Sequence, residues 1–66
     1  MRYEFTFAHP LSETARAAFP ELDLSRIDGR RRTLFGRVVD RAHLDGLIAR
    51  AANLGLEITD LHRLPD

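Results

Sequence analysis

The chain contains no cysteine and no lysine, and both absences narrow what the protein can be. Without cysteine it has neither disulfide bonds nor thiolate ligands for a metal ion. Its basic residues are all arginine, which indicates the codon bias of a GC-rich bacterial genome rather than selection for the forked guanidinium group. No apolar run approaches the roughly 20 residues of a membrane span, and no signal peptide opens the sequence. We therefore expect a cytoplasmic protein with no membrane contact.

The length of 66 residues predicts a single domain over residues 1–66. A chain of this size buries only about 60% of the surface that its unfolded form exposes, so its stability depends on a well-packed core or on a partner surface. The formal net charge is zero, which removes any global electrostatic attraction to nucleic acid or to a membrane. Hydrophobic residues at 44% and charged residues at 30% are typical of a folded globular chain.

The first part of the chain predicts a strand, a helix and a second strand. Apolar and polar residues alternate over residues 1–7, which is the period-two pattern of a half-buried strand. Ser12 can cap a short helix, and Pro20 ends it because proline disfavours helical geometry in the residue before it. Residues 22–25 alternate again and predict a second, more polar strand.

The second part predicts a hairpin, a longer helix and a last strand. Asp28-Gly29 is a hairpin signal, because type I′ turns need positive φ, and it leads into a third strand over residues 32–39. Asp40 is the predicted cap of the longest helix, and Gly55 its left-handed end. Residues 56–59 begin the last strand. The helix carries an apolar stripe at three- and four-residue spacing, formed by Leu44, Leu47, Ile48, Ala51 and Leu54.

This β-α-β-β-α-β order predicts a ferredoxin-like α+β sandwich, with a four-stranded antiparallel sheet and two helices on one face. Gly36 in the third strand predicts either a helix that approaches the sheet closely or a bulge. The inward positions form the predicted core: Met1, Tyr3, Phe5, Phe7, Leu34, Val38, Leu44, Leu47, Ile48, Leu56 and Ile58. The other sheet face stays uncovered and carries Arg2, Glu4, Thr6, Thr33, Phe35, Arg37, Glu57 and Thr59.

A set of short motifs runs through nearly the whole chain. It consists of Leu11-Ser12, Ala17-Ala18-Phe19-Pro20, Leu34-Phe35-Gly36, Asp40, Leu44-Asp45-Gly46-Leu47-Ile48-Ala49-Arg50, Leu54-Gly55-Leu56-Glu57 and Arg63-Leu64-Pro65. Together these segments resemble a group of short actinobacterial proteins with an "LS…AAFP" start, a "DqaaLhGLLaRi…LGLeL" helix and a final "vrRLP". Arg41-Ala42-His43 and Phe35 depart from that pattern. The resemblance implies a fold and a lineage, and it supplies no catalytic residue.

The residues that could carry chemistry form no recognisable site. Ser12 is explained as a helix cap, Ser25 lies on a polar strand, and no nucleophile motif or phosphate-binding loop is present. The three histidines, His9, His43 and His62, follow no metal-ligand spacing. Asp40 and His43, three apart on a helix, suit a helix cap better than a metal ion. We therefore expect no enzyme activity, no bound metal and no cofactor.

The predicted hairpin carries a basic patch formed by Arg26, Arg30, Arg31 and Arg32. Such a patch suggests nucleic-acid binding, and RNA-recognition motifs add aromatic side chains on the open sheet face. Here the aromatic residues of the first strand all point inward, and only Phe35 faces outward. We therefore favour a solvated turn that protects an edge strand from aggregation over the binding of nucleic acid.

The leading functional hypothesis is a small, non-catalytic interaction module that forms a homodimer. The interface is either an edge strand or the open face, which offers Arg2, Glu4, Thr6, Phe35, Arg37, Glu57 and Thr59. Leu61 extends this patch if the last strand keeps its phase that far. The alternatives are a regulatory domain that binds a small ligand, a minor enzyme or accessory factor of a larger complex with a different protein partner, and, less favoured, a nucleic-acid-binding module that uses Arg30, Arg31 and Arg32 of the hairpin.

Overall fold

The computed structural model describes residues 1–25 and 29–65, and it shows one sheet and two helices in that part of the chain. In chain order the elements are β1 (Arg2–Phe7), α1 (Glu13–Ala17), β2 (Asp23–Leu24), β3 (Thr33–Arg37), α2 (Arg41–Asn53) and β4 (Ile58–Leu64). The four strands lie in the order β2-β3-β1-β4, and all neighbours are antiparallel. This confirms the predicted ferredoxin-like α+β topology. The hairpin residue Asp28 lies outside the described residues.

Side-chain caps begin both helices where the sequence predicts them. Ser12 Oγ accepts a hydrogen bond from the Ala15 N–H at 3.0 Å, at the start of α1. At the start of α2, Asp40 Oδ1 accepts from the His43 N–H at 2.9 Å, while His43 Nδ1 accepts from the Val39 N–H at 3.0 Å. This reciprocal arrangement satisfies two backbone donors, as a capping box does. The structural role of His43 is therefore to hold the start of a helix.

The end of α1 and the exposure of Leu54 differ from the prediction. Ala18 donates its N–H to the Ala15 carbonyl at 3.2 Å, so the last turn is tighter than an α-helix, and α1 ends at Ala17 before Pro20 is reached. α2 ends as predicted, with Gly55 at φ +74°. Leu54 is the residue at this cap and is 49% exposed, so its placement in the buried stripe was wrong.

One core lies between the sheet and the helices. The predicted core residues are all found there, either fully buried or packed against its edge. The core also contains three residues that were not in the predicted set, from the segments around α1: Leu11, Phe19 and Leu22. Both helices thus cover the same sheet face, and the opposite face has no helix over it.

Gly36 allows a loop, rather than a helix, to approach the sheet. A Cβ at this position would lie 2.9 Å from Leu22 Cδ2 and 3.1 Å from the carbonyl oxygen of Glu21. The pairing of β1 with β3 continues through Gly36 without a bulge. Both predicted explanations for this glycine were therefore wrong, because the connection between α1 and β2 occupies the space beside it.

An ion pair ties that connection to α2. Arg50 donates two hydrogen bonds to the Glu21 carboxylate, at 2.7 and 3.2 Å, and one to the Ala18 carbonyl at 3.0 Å. The guanidinium also lies over the Phe19 ring, 5.4 Å from its centroid. The Arg50 bond holds the pKa of Glu21 below its ordinary value, although partial burial opposes this, and Glu21 in turn raises the pKa of Arg50. His43 Nε2 lies 3.8 Å from the same carboxylate.

A bulge in β4 changes which side chains face the core. Phe7 pairs with Ile58, but Thr6 pairs with Asp60, so Thr59 is an extra residue between the two pairs. After the bulge, Leu61 pairs with Phe5 and packs against the core. The prediction that Leu61 extends the open face was therefore wrong, because one inserted residue reverses the alternation of the strand.

Candidate functional site

The candidate site is the sheet face opposite the helices, which we call the open face. Residues paired across antiparallel strands share a face, so the register sorts its side chains into three rows that cross the strands. The arginine row consists of Arg37, Arg2 and Leu64. The central row consists of Asp23, Phe35, Glu4 and His62. The threonine row consists of Thr33, Thr6 and Asp60.

Phe35 lies in the middle of this face. It is on the central strand β3, with Asp23 of β2 on one side and Glu4 of β1 on the other. Its ring is only partly buried, although it belongs to one of the most apolar residue types. The adjacent Thr33 is buried at 6% exposure, and its hydroxyl lies 3.4 Å from that of Thr6. The face therefore has an apolar centre with polar and charged side chains around it.

An acidic pair surrounds the one imidazole on this face. His62 Nε2 lies 3.1 Å from Glu4 Oε1, and His62 Nδ1 lies 3.4 Å from Asp60 Oδ2. The histidine side chain is 49% exposed, and that of Glu4 is 25% exposed. β1 and β4 position the group, because Glu4 and His62 are direct cross-strand partners. The arrangement places two carboxylates on opposite sides of one ring.

Charge is distributed unevenly along the strands. The arginine row carries two guanidinium groups and no carboxylate. The central and threonine rows carry three carboxylates, from Asp23, Glu4 and Asp60. One end of the open face is therefore positive, and the middle and the other end are negative.

Two of the predicted interface residues lie at the margin of the open face, and four residues that were not predicted belong to this face. Glu57 precedes β4, and its carbonyl accepts the Ala8 N–H at 2.9 Å. Thr59 is the bulge residue, and its hydroxyl donates to the Thr6 carbonyl at 3.2 Å. Sequence reasoning missed Asp23, Asp60, His62 and Leu64, because their place depends on the register with neighbouring strands. The polar Asp60, where strict alternation from Ile58 expects an inward residue, was the one local signal of the bulge.

The arginines of the hairpin do not form one exposed patch in the described part of the chain. Arg31 is ion-paired with Glu13 at 2.5 Å, Arg32 is partly buried with its Nε fully enclosed, and Arg30 is exposed but has a partner. Arg26 lies outside the described residues. Arg31 has φ +57°, and its carbonyl accepts the Leu11 N–H at 2.7 Å. These contacts fasten the hairpin to the start of α1.

A groove of about 370 Å³ runs beside the short edge strand β2. Its lining contains two basic and two acidic side chains with Leu24 between them. Glu13 and Arg31 are paired with each other, whereas within the described residues Arg16 and Asp23 make no ion pair. The groove therefore offers one cation and one anion to a small ligand, within the lower part of the usual pocket size of about 300–1,000 Å³.

Within the described residues there is neither a metal-ligand cluster nor a membrane-spanning helix. Residues 1–25 and 29–65 contain no group of three His, Cys, Asp or Glu side chains arranged to hold a metal ion. His9 is exposed before α1, and His43 and Asp40 cap α2. None of the described helices is long and apolar enough to cross a membrane.

The topology and the uncovered face define a small ferredoxin-like α+β domain. Residues 2–62 match the model of a domain of unknown function, DUF8691, and the chain belongs to this family. Comparison with curated proteins and with solved structures gives no match. The match confirms a family to which no function is assigned, whereas the actinobacterial lineage stays a prediction.

Proposed function

We propose that this protein is a small, non-catalytic interaction module that forms a homodimer through its open face. The observation that carries the proposal is Phe35, a large apolar side chain at the centre of an uncovered sheet face. A single exposed apolar residue is ordinary on a protein surface. Here the ring lies on a central strand, between a row that carries two arginines and a row that carries Asp60, which is the apolar-centre, polar-rim pattern of protein interfaces.

The charge pattern favours a second copy as the partner. A two-fold axis that runs along the central row reverses the strand direction of one copy relative to the other. Arg37 and Arg2 of each copy then lie opposite the partner's Thr33 and Thr6, and the partner's Asp60 lies one strand away from Arg2. The Phe35 rings approach each other near the axis, where they lose contact with water. The proximity of Arg2 to the partner's Asp60 favours this orientation more than it adds affinity.

The size of the molecule is consistent with such an interface. A standard specific interface removes about 800 Å² from each partner. The Cα atoms span 26 × 26 × 20 Å, so one broad face is of comparable area. A chain of 66 residues has a small core of its own, and burial of a second apolar surface adds stability that a larger domain would not need. The predicted cytoplasmic location stays part of this proposal.

The test is the solution mass of the native protein and of two matched variants. Sedimentation equilibrium at micromolar concentration and about pH 6 should find a native dimer. Phe35→Glu places like charges near the axis and should give a monomer with native far-UV circular dichroism. Ala49→Glu adds the same charge on the exposed side of α2 and should leave the dimer intact. A dimer that survives Phe35→Glu would instead indicate pairing through an edge strand, β2 or β4.

The groove beside β2 supports a second candidate function, the binding of a small zwitterion. Arg16 offers a partner for a carboxylate, and Asp23 offers one for an amine. A ligand that binds the native state raises the melting temperature, by an amount that grows with the logarithm of its concentration over the dissociation constant. A thermal-shift screen of amino acids, with Arg16→Gln and Asp23→Asn as controls, tests this function. This function would be contradicted if no amino acid at millimolar concentration raised the melting temperature of the native protein. It would also be contradicted if the melting temperatures of the two variants rose as much as that of the native protein.

A further inference from the structure

One imidazole on the open face is held between two carboxylates. The Nε2 atom of His62 is 3.1 Å from Glu4, and its Nδ1 atom is 3.4 Å from Asp60. A neutral imidazole has a single N–H and can donate at only one of these atoms, whereas an imidazolium donates at both. Only an imidazolium could therefore donate to both carboxylates at once.

The surroundings of His62 make that proton important for the charge of the face. Only β1 lies beside β4 in the described sheet, and it presents Glu4 opposite the ring and Arg2 one row away. On β4 itself Asp60 faces the ring, while Arg63 pairs with Tyr3 and belongs to the other face. With the proton present, one of the two nearby carboxylate charges is neutralised. Without it, both charges remain.

In the proposed dimer, the His62 proton changes the repulsion between charges more than it does in the monomer. The two-fold axis of this dimer runs along the central row, so Asp23, Glu4 and His62 of each copy each lie opposite the same residue of the partner. The two central rows together hold four carboxylates, against which two imidazolium groups are the compensating charge. His62 is the one residue of that row that can carry a positive charge. Removal of its proton in both copies leaves uncompensated carboxylates facing each other in an interface that excludes water, where like charges repel more strongly than in solvent.

We propose that proton binding to His62 controls the dimerisation of this protein. The inference rests on the proposed homodimer and adds its regulation. Because the dimer forms with the imidazolium, association is strongest at the acid end of the range in which histidine exchanges its proton, about pH 5 to 8. Association weakens as the pH rises through that range, since dimer formation takes up protons.

The experiment measures the dissociation constant of the dimer at about pH 5.5 and about pH 8 by sedimentation equilibrium. The ionic strength is held constant, because salt screens the charges concerned. We expect the native dissociation constant to be about tenfold higher at the alkaline pH, as the loss of a few exposed ion pairs predicts. His62→Gln keeps a donor but not the charge, so its dissociation constant should be high and equal at both pH values. Glu4→Gln should associate more tightly than the native protein at about pH 8.

His9→Gln is the matched control, because it removes an imidazole outside the rows of the open face. His9 is exposed in the turn before α1 and away from the open face, so this variant should keep the native pH dependence. A native dimer with the same affinity at both pH values would overturn the inference and leave the proposed homodimer standing. Retention of the pH dependence in His62→Gln would overturn it as well. A monomer at every pH would overturn the homodimer itself.

Discussion

A methyl group added at Gly36 tests the close approach between β3 and the connection that follows α1. The new Cβ would lie 2.9 Å from Leu22 Cδ2 and 3.1 Å from the carbonyl oxygen of Glu21. The leucine side chain can rotate, but the carbonyl belongs to a backbone segment that the Glu21–Arg50 bonds fasten to α2. Overpacking costs about 1–3 kcal/mol, and replacing glycine restricts the unfolded chain and returns about 0.4–1 kcal/mol. We expect Gly36→Ala to lower the free energy of unfolding by about 1–2 kcal/mol.

Gly46 provides the matched control for this prediction. It is exposed in α2, and a Cβ there meets no atom within 4 Å, so Gly46→Ala should raise the free energy of unfolding by about 0.5–1 kcal/mol. Denaturant unfolding followed by circular dichroism measures both changes. A domain of this length has a total stability of about 3–10 kcal/mol, so midpoint shifts in opposite directions are resolvable. Equal stabilisation by the two alanines would refute the close approach at Gly36.

Three further predictions concern the core, an ion pair and metal ions. Leu47 is 1% exposed, so Leu47→Ala should lower the free energy of unfolding by about 2–5 kcal/mol, and an unchanged midpoint would show that it does not pack in the core. Because Arg50 lowers the pKa of Glu21, their pair stabilises the fold above about pH 4.5 and ceases to do so as the pH falls through the lowered pKa. Glu21→Gln should therefore be less stable than the native protein by under about 1 kcal/mol near neutral pH and equally stable in acid, whereas a pH-independent difference would contradict the assignment. Addition of a chelator should leave the melting temperature unchanged, and a fall of several degrees or stoichiometric zinc would contradict the absence of a metal site.

The elements of this fold follow from local patterns in the sequence. The alternation over residues 1–7 predicts β1, and the caps Ser12 and Asp40 predict the starts of both helices, because each depends on neighbours within a few residues. The strand order follows from the β-α-β-β-α-β order, because the ferredoxin-like topology places the first and third strands at the centre of the sheet.

The features that escaped prediction depend on contacts between distant segments. The bulge at Thr59 arises from the pairing of β4 with β1, and it moved Leu61 to the core and His62 to the open face. The reason for Gly36 is the position of Leu22, which follows from how the connection after α1 crosses the sheet. Apart from the polar Asp60, local periodicity gives no signal of such contacts, so the interface predicted from sequence included Phe35 but missed His62, which lies two strands away in the same row.

The most direct test of the proposed function is the mass of the native protein in solution. Sedimentation equilibrium at micromolar concentration and about pH 6 should yield a species of twice the 7.5 kDa chain mass. The Phe35→Glu variant should sediment as a folded monomer under the same conditions. A native protein that sediments as a single 7.5 kDa species at every concentration would contradict the account.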